Sequence, residues 1–199
     1  MNSRNYWIVT KNIAIFASGT GSNARKIVEY FQDSDQITVS LIISNKSTAP
    51  VLQMAANYEI PTLVLNRKEF YETTNILKKI HAYNVDYLIL AGFLWLIPQY
   101  LVQSFKNQIV NIHPALLPKY GGAGMYGMNV HKAVKEAGEK ESGMTIHFVN
   151  EKYDEGAIIF QAKCLLEEKD TPEDIARKVL NLEHEYFPKT IESIILGKK

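Results

Sequence analysis

Cysteine is nearly missing from this sequence: Cys164 is the one thiol in 199 residues. A single thiol cannot close an internal disulfide, and its apolar, alternating surroundings suit a buried, inert side chain better than a nucleophile. A reducing compartment is expected. Excess charge is missing as well, since 22 Lys and Arg against 21 Asp and Glu leave +1. Such a balance gives no long-range pull toward nucleic acid or an anionic membrane, so neither is expected as a partner. No apolar run approaches the roughly 18 residues of a membrane helix, and Met1–Lys11 lacks the apolar middle of a secretion signal. His, Cys and acidic residues nowhere show the spacing of a zinc site, and no metal is expected. Linkers, internal repeats and low-complexity stretches are also lacking. A cytoplasmic protein that acts on small molecules is expected, as a monomer or homodimer.

What remains is 46% hydrophobic, enough for a sizeable core in one domain over 12–199 behind an N-terminal extension over 1–11. Asn12–Ala17 reads as a strand, followed by a tight Ser18–Asn23 loop and a helix through Phe31. The alternation repeats: strand Ile37–Ser44, helix Pro50–Tyr58, strand Pro61–Leu65 and a longer helix Lys68–Tyr83. Asp86–Ala91 has almost no polar alternation, as a strand covered on both faces should look. A helix over Pro98–Phe105 and a fifth strand, Ile109–Ile112, follow; that strand runs straight into His113 and Pro114. Lys119–Met128 holds four glycines and should be a loop. After a helix over Asn129–Ala137, Gly143–Val149 and Ala157–Leu166 read as a hairpin. Thr171, Pro172 and Asp174 then open a helix that runs to about Leu196. The fold class is α/β: a doubly wound, mostly parallel Rossmann-like sheet with an antiparallel C-terminal part.

Gly19, Gly21 and Ala24 fit a glycine-rich turn between strand and helix, where free N–H groups and the helix dipole favour a phosphate. A dinucleotide site would add an acid at the end of the second strand. Here Ser44, Asn45 and Lys46 stand there. An NAD enzyme would need that acid elsewhere, with Glu59 as the candidate, whereas Ser22 and Asn23 suit a phosphate monoester. A plain tight turn also satisfies this motif. Asn111 and His113 alternate on one strand and so face the same side, near the carboxyl ends where ligands of open α/β sheets bind. A carboxamide can donate to the oxyanion of a tetrahedral acyl-transfer intermediate, and an imidazole can move protons near neutral pH. Asp154 is the candidate carboxylate beside them, although turn geometry alone would also place an aspartate there. His81, His131, His147 and His184 are rivals to His113.

Four segments together, ASGTGSN (17–23), LAGFL (90–94), NIHPALLPKY (111–120) and HFVNEKYDEGAIIFQ (147–161), resemble the glycinamide ribonucleotide formyltransferase family over nearly the whole chain. The resemblance implies the formyltransferase fold and a folate-dependent enzyme. Such an enzyme takes a formyl group from 10-formyltetrahydrofolate, without a metal, and gives it to the amine of glycinamide ribonucleotide. It implies Asn111, His113 and Asp154 as catalytic residues. Gly19, Thr20, Gly21, Ser22 and Asn23 would hold the substrate phosphate, and Glu183, within LEHEYFP, the ribose hydroxyls. For Glu183 the plain alternative is an exposed helix glutamate. The pterin would rest against Leu94, Trp95, Leu96 and Ile97 and against the loop of Asn150, Glu151, Lys152 and Tyr153, where aliphatic side chains could equally be core. Trp95 stands where relatives often carry a basic or polar residue, and the Lys119–Met128 loop is longer than in many. The nearest rival is a formyltetrahydrofolate deformylase, in which water replaces the amine, but Met1–Lys11 leaves no room for the regulatory domain those enzymes usually carry. A methionyl-tRNA formyltransferase would need a further C-terminal domain. A nucleotide-binding module without catalysis would use the glycine loop and place no demand on Asn111, His113 or Asp154.

Overall fold

The computed structural model describes residues 9–198. The N-terminal extension expected over 1–11 lies outside the described residues as far as residue 8, and Lys11 already belongs to the sheet. Seven strands form that sheet: β1 (Lys11–Phe16), β2 (Ile37–Ser44), β3 (Thr62–Val64), β4 (Tyr87–Leu90), β5 (Ile109–His113), β6 (Glu141–Phe148) and β7 (Ile158–Leu165). Their spatial order is β3-β2-β1-β4-β5-β6-β7. The first five are parallel, while β6 pairs antiparallel with β5 and β7 with β6. The strand order reverses between β1 and β4, and there the loops leaving neighbouring strands diverge and open a crevice.

The short period of a strand explains both faces. In β1, Ile13 and Ile15 join one buried cluster, with α1 (Ser22–Phe31), α2 (Pro50–Asn57), α6 (Met128–Glu136) and α7 (Pro172–Leu196) covering it. Ala14 and Phe16 point the other way, into a second cluster under α3 (Arg67–Glu72), α4 (Asn75–His81) and α5 (Gln99–Ser104). With both faces covered, the central parallel strands are mostly apolar, and their polar residues gather toward the strand ends. Phe16 is fully buried, so truncating it to alanine should cost about 3–5 kcal/mol.

One element differs from the sequence expectation. The single helix over Lys68–Tyr83 is two, α3 and α4, because Thr73 leaves helical space (φ −135°, ψ 167°). Its hydroxyl bonds back to the Glu69 carbonyl at 2.9 Å, the local competition that lets threonine end a helix. The C-terminal helix, by contrast, starts where its capping residues predict. Thr171 accepts from the Asp174 N–H and Asp174 returns a bond to the Thr171 N–H, a capping box. Cys164 is half-buried on β7, and burial pushes its thiol up, away from thiolate chemistry. Among the described residues no helix is long and apolar enough to cross a membrane.

Candidate active site

The first component lies at the carboxyl end of β1. Gly21 takes φ 73° as the N-cap of α1, and a Cβ there would run into the Val51 side chain. Only glycine fits both the conformation and the space. No side chain caps α1, so the N–H groups of its first turn are left without a capping partner, beside exposed Gly19 and Thr20. Asn23, one residue into the helix, is buried and donates from Nδ2 to Glu183 Oε2 at 2.6 Å. Its Oδ1 has no hydrogen-bond partner among the described residues. Glu183 is therefore not the exposed helix glutamate that sequence alone allows: it is 7% exposed, and burial pushes its carboxyl up to about 7 against the pull of the Asn23 amide.

The loop after β4 is tied to the first. Ser18 donates its N–H to the Gly92 carbonyl at 3.0 Å, and its hydroxyl accepts from the Leu94 N–H at 3.0 Å. Leu94 is left exposed. Trp95 lies among Phe70, Tyr71 and Phe93, with the Arg67 guanidinium 5.2 Å from its ring centre. The Leu96 carbonyl accepts from the Tyr71 hydroxyl at 3.1 Å. Ile97 is buried in the second core cluster, so it can meet a ligand only through its backbone. In the facing loop, Asn150 Oδ1 accepts from the Lys152 N–H at 2.9 Å, Glu151 accepts from Gln99, and Tyr153 is exposed.

The end of β5 carries the candidate catalytic groups. Asn111 and His113 share a face as their spacing predicts, and both reach Asp154. Asn111 Nδ2 is 3.5 Å from Asp154 Oδ1, and His113 Nδ1 is 3.5 Å from Oδ2. Asp154 sits in the left-handed region (φ 55°) on the loop between β6 and β7, where its carboxylate also accepts from the Gly122 N–H at 2.9 Å. His113 Nε2 lies 2.7 Å from the Tyr120 carbonyl. A carbonyl can only accept, so Nε2 carries the proton and Nδ1 of the neutral ring faces the carboxylate. Burial pulls His113 below its ordinary value, while Asp154 and the Tyr120 carbonyl act against this. Burial pushes Asp154 up, but the neighbouring His147 and His113 and the Gly122 N–H outweigh it and hold the carboxyl below its ordinary value. Near neutral pH the pair is thus a neutral imidazole beside a carboxylate.

Sequence reasoning counted His147 only as a rival. Antiparallel pairing sets it opposite Asn111, with Nε2 3.0 Å from Asn111 Nδ2 and 3.6 Å from Asp154 Oδ1. Its Nδ1 donates to the Phe148 carbonyl at 2.8 Å, so Nε2 accepts from the amide and fixes which way Asn111 points. Only strand register could have revealed this. Gly156 makes the arrangement possible, since a Cβ there would overlap the Phe148 carbonyl. Glu59, the alternative acid for an NAD enzyme, follows the C-terminal end of α2, about 12 Å down the helix from the edge where ligands bind. Among the described residues no group of three or more His, Cys, Asp or Glu could hold a metal ion.

Residues 11–191 match the formyl transferase family. A chloroplastic phosphoribosylglycinamide formyltransferase of Arabidopsis thaliana is 43% identical over 190 residues, which cover 92% of this chain. The matched region spans 65% of that plant protein's length. The phosphoribosylglycinamide formyltransferase of Haemophilus influenzae is 35% identical over 193 residues, covering 94% of this chain and 89% of the relative. The crystal structure of phosphoribosylglycinamide formyltransferase from Anaplasma phagocytophilum superposes with a TM-score of 0.85 at 34% identity, over 94% of this chain and 87% of that one. Sheet order, the polar cluster at the end of β5 and this similarity agree: the chain belongs to the formyl transferase family.

Proposed function

We propose that this chain transfers the formyl group of 10-formyltetrahydrofolate to the amine of glycinamide ribonucleotide, a step of purine synthesis. The observation that carries the reading is the meeting of Asn111, His113 and Asp154 at one strand end, in a chain whose relatives are named for this reaction. A nucleotide-binding module without catalysis would have no use for that cluster.

The substrate phosphate sits at Gly19, Thr20, Gly21, Ser22 and Asn23, where the uncapped α1 terminus supplies donors and positive potential. Glu183 accepts from the ribose hydroxyls. The pterin lies between Leu94, Trp95, Leu96 and the Ile97 backbone on one side and Asn150, Glu151, Lys152 and Tyr153 on the other. The bound amine then attacks the formyl carbon directly, with no covalent enzyme intermediate. As the new C–N bond forms, Asn111 Nδ2 donates to the developing oxyanion. The proton shed by the amine passes to His113 Nδ1, where Asp154 stabilises the imidazolium. As the bond from the formyl carbon to folate N10 breaks, His113 passes that proton on to N10. His147 holds the Asn111 amide in its donating orientation. A cytoplasmic monomer or homodimer with small-molecule substrates and no nucleic-acid partner belongs to the same proposal.

Absorbance of the deformylated folate tests it, measured with and without glycinamide ribonucleotide for the unmodified chain and His113→Ala. Amine-dependent turnover that the variant loses supports the transferase. Turnover without amine makes the chain a deformylase, and none under any condition sinks the folate reading.

A further inference from the structure

We infer that Glu139 is a positioning residue for His113 and acts through Tyr120. The inference rests on the proposal that His113 and Asp154 are catalytic. Glu139 lies in the turn after α6, outside the glycine-rich loop. Its Oε1 accepts from the Tyr120 hydroxyl at 2.9 Å and from Lys119 Nζ at 2.8 Å. Tyr120 itself is strained, with φ 58°, a conformation that a bulky residue keeps only where its surroundings enforce it. That conformation aims the Tyr120 carbonyl at His113 Nε2, 2.7 Å away. Two residues on, the Gly122 N–H reaches Asp154 Oδ2 at 2.9 Å. One short loop thus touches both members of the proton-handling pair through its backbone.

The loop's own sequence gives this shape little support. Gly122, Gly124 and Gly127 all adopt positive φ, and glycine has almost no preference of its own. Contacts from outside must hold the loop, and the Glu139–Tyr120 bond is one made by a side chain on a separate element. Lys119 beside Glu139 holds that carboxyl below its ordinary value, so it remains an acceptor throughout the neutral range. Gly121 closes the gap: a Cβ there would meet Leu117 at 2.5 Å and the Asp154 Cβ at 3.3 Å. The charged and titratable groups around His113 are Asp154 from the β6–β7 loop, His147 from β6 and His131 from α6. None of these takes the Nε2 proton. The Tyr120 carbonyl does, and by doing so it leaves Nδ1 for the reaction.

The test compares Tyr120→Phe, Glu139→Ala, their double variant and Glu139→Gln with the unmodified chain, using kcat, both KM values, the pH profile and melting temperature. Tyr120→Phe keeps the backbone carbonyl and ring but drops the hydroxyl anchor. Each of the first two variants should lower kcat about tenfold, the size of one lost hydrogen bond, with KM values and melting temperature near those of the unmodified chain. The double variant should be no worse than either single one, because both break one connection. The acid limb of the profile should move to lower pH, since the Tyr120 carbonyl helps hold the His113 proton. Glu139→Gln, which keeps an acceptor oxygen, should restore most of kcat and also serves if Glu139→Ala fails to fold. Unchanged kcat and pH profile in folded Tyr120→Phe overturn the inference. So do additive losses, or a change confined to KM. A His113→Ala chain that turns over normally is a separate result: it overturns the catalytic assignment itself.

Discussion

Glu183→Gln should make the free protein more stable at alkaline pH and leave it unchanged in acid. Glu183 is 7% exposed, its one hydrogen bond among the described residues comes from Asn23, and burial raises its carboxyl from 4.5 to about 7. Below about pH 4.5 folded and unfolded chains both keep the proton, and the group has no effect on stability. Between about 4.5 and 7 the unfolded chain has released it while the folded chain retains it. The unfolded state then binds fewer protons, so stability falls as pH rises, and above about 7 the loss is complete. At about 1.36 kcal/mol per unit, the whole window amounts to roughly 3 kcal/mol. Glutamine fills the same volume and never ionises, so the variant should gain roughly 3 kcal/mol over the unmodified chain near about pH 8. For a chain of this size that is about 6–12 °C in melting temperature. Ligand-free thermal or urea melts of both chains across this range are the assay, and a difference that does not vary with pH refutes the reasoning. The proposed ribose contact adds a second reading. Hydroxyls that donate to Glu183 favour its charged form, so nucleotide binding near about pH 6 should release a proton. Calorimetry in two buffers of different ionisation enthalpy measures that release directly.

Replacing His113 or Asn111 with alanine should lower kcat by about 10²–10⁴, the usual size of a lost proton-transfer group or oxyanion donor; a single-turnover rate within a few fold of the unmodified chain's would count against the proposed roles. Because burial lowers His113 and its neighbours lower Asp154, the rate should hold through neutral pH and fall only as pH drops below about 6.5; a pH–rate profile whose acid limb lies above that value contradicts the neutral-imidazole reading. Gly21→Ala must adopt φ 73° and push into Val51, so it should cost about 2 kcal/mol or more and weaken nucleotide binding. Gly19→Ala, with open space around it, should melt within about 0.5 kcal/mol of the unmodified chain. Chemical denaturation of the two variants side by side checks both.

How much of this was legible in the sequence depends on how far apart the cooperating residues lie along the chain. The β1 strand, glycine turn and α1 helix are contiguous, and their pattern is enough to place them. Asn111 and His113 are two residues apart, so strand periodicity alone puts them on one face. The capping box that starts α7 is equally local. Where threonine back-bonding competes with the helix, the local signal fails, as at Thr73. Long-range partnership is a different matter. His147 joins Asn111 only because β6 runs antiparallel to β5 in one register, and a slip of one residue would turn its side chain to the opposite face. Glu183 meets Asn23 across 160 positions, and nothing near either residue announces the other.

Burial also explains how one site holds three titratable groups in different states, something that residue types alone do not reveal. Desolvation penalises charge whatever its sign: it pulls the imidazole of His113 down and pushes the carboxyl of Glu183 up, so that both tend toward neutrality. Asp154 is subject to the same penalty, yet two histidines and the Gly122 N–H more than offset it, and its charge survives. Nearby donors and ionisable neighbours together therefore decide which carboxylate is charged. Glu183 has a single amide donor and sits near the point of half-ionisation at neutral pH, so new donors from bound hydroxyls would tip it to the charged form. Asp154 already has the Gly122 N–H and the Asn111 amide as donors before any ligand arrives. Under the proposed mechanism, a permanent charge suits a group that stabilises a proton on His113 in every turnover, and a conditional one suits a group whose partner enters and leaves with the nucleotide. Adding a donor to Glu183 or removing one from Asp154 should make each behave more like the other.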